Sequence, residues 1–156
     1  VGELELEGEE EDDAGEWEMG ETVVEVAPDG SATEVVAGDV RAGSYEELGL
    51  ELIVSDGSED ARFADLAGAS ILVEGRFKDA PFTYRSQYAP ELEFDLGTPA
   101  IVPEGGSARI AVTFDAAAWF VTAEGAALDP NDPAVHPVIE DNIMRSMAAF
   151  AEAQDD

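Results

Sequence analysis

The feature that most constrains this chain is a period-two pattern in which apolar residues alternate with carboxylates. Leu4 and Leu6 stand between Glu3, Glu5 and Glu7. Trp17 and Met19 stand between Glu16 and Glu18. Leu92, Phe94 and Leu96 are spaced by Glu93 and Asp95. Successive strand side chains point to opposite faces, so each segment makes a strand with one apolar face and one acidic face. A helix would scatter the same residues around its circumference. The pattern predicts strands over residues 3–7 and 16–26, flanking an acidic turn at Glu9–Gly15.

The rest of the chain repeats the theme with turn chemistry between segments. Thr22–Ala27 and Thr33–Ala37 bracket Ala27-Pro28-Asp29-Gly30 and predict a hairpin. Tyr45, Leu48, Leu50, Leu52 and Val54 predict a long strand, ended by the acidic loop Asp56–Asp60. Ile71–Phe77 and Pro81–Ser86 bracket Lys78-Asp79-Ala80 as a second hairpin. Gly105-Gly106 precedes a strand through Ile110, Val112 and Phe114. Some eight or nine short strands at regular spacing imply a mainly β fold. The expected form is an antiparallel β-sandwich, immunoglobulin- or transthyretin-like. The period changes at the end, where Ile139, Ile143, Met147 and Phe150 share one helical face. This predicts a single α-helix over 138–152. The organisation is an acidic N-terminal strand or arm over 1–21 and one domain over 22–156.

Charge narrows the function. Among 156 residues, 37 Asp and Glu face 7 Lys and Arg, a net charge of -30. Such a surface repels phosphate backbones and anionic membranes, which argues against a nucleic-acid binder. No stretch reaches the roughly 20 apolar residues of a transmembrane helix. Without cysteine there is no disulfide or thiolate ligand. One histidine, His136, excludes a multi-histidine metal site within a chain. Hydrophobic residues are 45% of the chain, enough for a core. Acidic, lysine-poor surfaces suit high salt or calcium-rich fluid, where screening reduces self-repulsion. An ordinary acidic secreted protein has the same composition. With a first residue other than Met, the expectation is a secreted or cell-envelope location.

Short motifs add a resemblance. Gly43-Ser44-Tyr45-Glu46-Glu47-Leu48-Gly49-Leu50 is followed by Val73-Glu74-Gly75 with Pro81-Phe82. Val112-Thr113-Phe114-Asp115 with Trp119-Phe120 comes next, then Leu128-Asp129-Pro130. Over roughly residues 43–150 the chain resembles a loose group of uncharacterised bacterial envelope proteins, often lipoproteins, with β-sandwich folds. The resemblance implies an envelope or extracellular location. It brings no known activity and no catalytic residues.

Three places offer chemistry. Asp129, Asn131 and Asp132 put three oxygen-bearing side chains into a proline-stiffened loop that would suit calcium. An EF-hand does not fit, because Pro133 and Ala134 occupy positions that need a ligand and a glycine. The same residues also read as a turn with Asp132 at a helix start. Asp56, Ser58 and Asp60 form a second calcium candidate, or a polar turn. The run Glu9–Asp13 condenses cations or is simply solvated. Calcium is the one cofactor these loops suggest. Trp17, Trp119, Tyr84 or Tyr88 would stack on sugar rings if exposed. With so many carboxylates, no pair singles itself out for glycoside hydrolysis, and His136 has no nucleophile elbow to serve. The expectation is therefore a non-enzymatic structural protein that self-associates into filaments with inorganic cations. Leu4, Leu6 and Trp17 would add a strand to a neighbouring sheet. A monomeric calcium- or carbohydrate-binding module is the alternative.

Overall fold

Alternation turns into sheet wherever the apolar halves of several strands can share one face. A computed structural model describes residues 2–8, 15–27, 39–58 and 61–152. Its strands are β1 (Gly2–Gly8), β2 (Glu16–Thr22), β3 (Gly43–Leu52), β4 (Ile71–Phe77), β5 (Ala80–Ser86), β6 (Glu91–Val102), β7 (Ile110–Thr113) and β8 (Ala148–Ala151). The fold is mainly β, with 45% strand and 18% helix, and its sheets are antiparallel. The predicted hairpin partner Thr33–Ala37, its turn from Pro28 and the acidic run Glu9–Asp13 lie outside the described residues. The strand expected over 16–26 stops at Thr22.

The chain divides into two compact units. The first comprises Val1–Ile53, Pro90–Val112 and Ala148–Asp156. Its centre is a four-stranded sheet in the order β2-β1-β3-β6. Register places two apolar rows across it: Met19, Leu4, Leu50, Leu92 and Trp17, Leu6, Leu48, Phe94. Leu6, Tyr45, Leu48, Leu96, Ala100 and Val102 are buried together, and Ile110, Val112, Ala149 and Ala151 pack against them from β7 and β8.

Irregularity enters where the alternation fails. Tyr45 and Leu48 are three apart, yet both are buried. The β3–β6 register shifts between Tyr45 and Glu47, which leaves consecutive Glu46 and Glu47 exposed. On β6 the slack falls at Gly97, whose φ of 67° an L side chain rarely adopts.

The second unit comprises Val54–Ala89 and Thr113–Met147. Strands β4 and β5 form a hairpin whose two-residue turn, Lys78-Asp79, has positive φ at both positions, 48° and 65°. That is the geometry of a type I′ turn, which matches strand twist. Among the described residues three helical segments occur where one was predicted: the 3₁₀ segment Ala61–Leu66, α1 (Ala116–Trp119), and α2 (His136–Ser146) with its 3₁₀ lead-in Pro133–Val135. Ile139, Ile143 and Met147 are buried as the helical spacing predicts. Phe150 leaves that stripe and is 45% exposed, because Met147 turns extended (φ -84°, ψ 137°) and Ala148–Ala151 pairs as β8. Small alternating residues there meet sheet contacts that a continued helix would forgo.

Candidate functional site

The face of the four-stranded sheet opposite its apolar rows carries rows of carboxylates, broken at Gly49. Register aligns Glu16, Glu7, Glu47 and Asp95 in one row. Glu18, Glu5, Gly49 and Glu93 form the next, and Glu3, Glu51 and Glu91 a third. No lysine or arginine lies in any of these four strands. Directly opposed side chains are about 5 Å apart at Cβ, and like charges there destabilise a sheet. Glu5, in the middle, shows the consequence. Its carboxyl is held above the ordinary value of 4.5, first by burial and then by Glu16, Glu18, Glu7 and Glu91. Gly49 relieves the centre row: a Cβ there would lie 3.3 Å from that of Glu5.

The strand irregularity gives this unit a concave feature. Glu46, Glu47, Asp95, Gly97 and Pro99 line a cavity of about 160 Å³. The Gly97 amide donates to Asp95 Oδ1 at 2.7 Å, which fixes that carboxylate. The sequence does carry a trace of this cavity. Two glutamates interrupt the alternation between Tyr45 and Leu48, and Gly97-Thr98-Pro99 interrupts it on β6.

The predicted assembly residues are placed differently from expectation. β1 is paired on one side with β2 and on the other with β3. Leu6 is therefore core, and Leu4 and Trp17 pack against it. With both edges of β1 occupied within the chain, Leu4 and Leu6 offer no free strand to a neighbour, whereas Trp17 lies on β2, the outer strand among the described residues.

The predicted cation loops do not converge either. Asp129 Oδ1 accepts from the backbone and side-chain nitrogens of Asn131 at 3.0 and 3.1 Å. Asp132 Oδ1 accepts from Ala134 N at 3.0 Å and caps the lead-in to α2. Asp56 Oδ1 accepts from Ser58 N at 2.8 Å, and its carboxyl is held below the ordinary 3.8 by Ser58. Asp60 lies outside the described residues. These carboxylates close local turns. Among the described residues no three acidic or histidine side chains come together as a metal-holding group.

Of the proposed sugar platforms, Trp119 is buried with Nε1 donating to Ser146 Oγ at 2.7 Å, and Tyr84 is 1% exposed. Only Tyr88, at 46%, presents a ring among those four. Tyr84 instead packs edge-on against Phe120 and His136, with centroids 5.8 and 5.1 Å away. Burial, then Glu140, pushes the pKa of its hydroxyl up to about 12. Nearby Ser86 Oγ donates to Glu140 Oε1 at 2.9 Å and accepts from Tyr88 N. His136 Nε2 lies 3.0 Å from the Pro130 carbonyl oxygen. Ser86 is 2% exposed, so this cluster ties α2 to β5 rather than meeting a substrate.

No family model, curated protein or solved structure matches the chain. Its own geometry must carry the functional reading. A second cavity, lined by Asp115, Ala118, Asn142, Arg145 and Ser146, encloses about 310 Å³. Its polar groups are largely committed: Asn142 donates to the Trp119 and Val121 carbonyls, and Arg145 pairs with Asp141. Within the second unit, Arg85 likewise spends its guanidinium on the carbonyls of Asp65 and Ala67. No helix of the described residues is long and apolar enough to cross a membrane.

Proposed function

We propose that the chain is a non-enzymatic structural protein of the cell envelope or extracellular space, which associates with itself in a cation-dependent way through its acidic sheet face. The carboxylate rows carry this reading. A sheet that opposes Glu7 to both Glu16 and Glu47, and Glu51 to both Glu3 and Glu91, is built for a medium that screens them. An immunoglobulin- or transthyretin-like sandwich belongs to the same proposal, supported by the packing of β7 and β8 residues against the sheet's core. The joint is the acidic face, since β1 is spent within the chain. Calcium acts here as one screening cation among others, because Asp56, Asp129 and Asp132 each accept from an amide of their own turn.

Light scattering and negative-stain microscopy across a salt series test the proposal. Particles larger than a monomer are expected as NaCl rises, and with calcium and magnesium alike at matched ionic strength. A monodisperse monomer under every condition would overturn it. A response to millimolar calcium alone, about the level of weak extracellular sites, would replace screening with a specific site.

A further inference from the structure

Strand β8 carries its apolar residues the wrong way round. Ala149 and Ala151 pack against the core of the first unit, while Ala148 and Phe150 face solvent. A strand with one buried face ordinarily turns its largest apolar side chain inward. Here two methyl groups lie inside and a phenyl ring stands outside. The residue types also point away from a strand. Alanine makes up three of the four residues of β8. It is the best helix former and is depleted in strands.

The same residues would complete a helix. Between Ser146 and Glu152 there is neither the glycine nor the proline that commonly stops one. Continued at about 3.6 residues per turn, α2 would bring Phe150 onto the face of Ile139, Ile143 and Met147, with Ala148 opposite. Instead Met147 turns extended, at the point where the chain passes from the second compact unit to the first. What holds the strand is tertiary. It pairs with β7, its inner alanines touch the core, and Glu152 N donates to the Arg109 carbonyl at 2.9 Å. Local preference and tertiary contact therefore disagree over one short segment. Such a conflict brings two arrangements close in free energy.

We infer that Ala148–Ala151 is a strand-to-helix switch, paired with β7 in one state and forming a further turn of α2 in the other. Switching uncovers β7. Among the described residues β8 is the one strand paired with β7, so its departure leaves Ile110–Thr113 with an open edge. An open edge is a template for strand addition. The switch thus converts a change of local conformation into the appearance of a pairing surface. It stands independently of the self-association reading.

Nuclear magnetic resonance on the isotope-labelled full chain tests the switch. Carbon shifts of Ala148, Ala149 and Ala151 separate helix, strand and coil, and relaxation dispersion reads a minor state that exchanges in microseconds to milliseconds. In the wild type a minor state of a few per cent is expected, within the range of alternate conformations. Its shifts should be helical at all three alanines, and the amides of β7 should exchange in step. Two variants push the equilibrium in opposite directions. The double variant Ala148→Thr, Phe150→Thr sets strand-favouring residues at the two outward positions and takes the ring off the helical face. Its minor state is expected to fall by about tenfold. Ala149→Glu sets a charge against the core in the strand but stands off the apolar stripe in the helix. Helical shifts are then expected in the major state, with the β4–β5 hairpin unchanged. A wild type without a minor state, a minor state with coil shifts, or coil shifts in Ala149→Glu would each overturn the switch, since release without helix is only fraying.

Discussion

The two units of this chain handle charge in opposite ways. In the first, the four-stranded sheet gathers its carboxylates onto one face and supplies no base within those strands. Its cohesion comes from apolar rows and backbone ladders, and solvent must deal with the charge. In the second, polar groups are used singly and each does a local job. Ser86 holds Glu140, Asn142 holds two carbonyls, and Arg85 holds two more. The first unit is thus hostage to ionic strength, whereas the second carries its own partners. Composition alone blurs this distinction, because both regions look acidic.

Core truncation should be the largest effect and should not separate the units. Leu48→Ala in the sheet and Ile139→Ala in α2 each remove a nearly fully buried side chain. Each is expected to cost about 2–5 kcal/mol by chemical denaturation. A clear inequality between them would show that one unit is held by something other than its core. Removing a tether comes next and belongs to the second unit. Ser86→Ala takes the hydroxyl donor from Glu140 and should cost about 1–3 kcal/mol, with little change between low and high salt.

The contrast sharpens with Glu5→Gln, which relieves repulsion from three glutamates on its own and the adjacent strand. It should stabilise the protein by about 0.2–1 kcal/mol in dilute buffer. The part due to repulsion should disappear by about 1 M NaCl, where the Debye length is roughly 3 Å, leaving the part due to burial. A gain unchanged by salt would mean that the neighbouring glutamates contribute nothing to the behaviour of Glu5.

The pH responses of single groups come last, and their signs follow the group rather than the unit. The folded-state value for Glu5 lies above 4.5, so its charged form is disfavoured by folding. Its contribution is present at low pH and lost as pH rises through that window. At low ionic strength the melting temperature should therefore increase as pH falls through the folded value toward 4.5. Asp56 is the reverse: its folded value lies below 3.8. Its stabilisation is present above 3.8 and disappears as pH falls through the folded value. Tyr84, raised from 10.0 to about 12, contributes below pH 10, and that contribution is lost as pH climbs toward 12. Thermal melts across the pH range, with and without salt, read all three signs.

The elements of the fold were largely legible because local alternation decides them. β1, β3, the β4–β5 hairpin, β6 and β7 all sit where apolar residues alternate, and Lys78-Asp79 is the turn. Long-range facts were not legible. That Glu5 faces Glu18, with Gly49 across from it, depends on strand register, which no single segment specifies. The end of α2 was misread because Ile139, Ile143, Met147 and Phe150 keep helical spacing past the point where β7 offers Ala148–Ala151 a partner strand. Packing places Trp119 and Tyr84 inside and leaves Trp17 half-buried against the core. The candidate cavity needed the bulge at Gly97 to bring Asp95 beside Glu46 and Glu47, although the doubled glutamate was visible beforehand.

The strand order β2-β1-β3-β6 also fixes when this sheet can form. Its last member begins at Glu91, beyond the whole of the Ala61–Leu66 segment and the β4–β5 hairpin. The carboxylate rows close only when these distant stretches meet, a non-local step of the kind that slows folding. Much of the native surface is already buried at such a barrier, so the rows confront one another during the climb. Dilution of salt should then act chiefly on the refolding rate and leave the unfolding rate comparatively untouched. In a stopped-flow chevron, ionic strength would move the folding limb and spare the other, making this sheet a kinetic gauge of the salt in its buffer.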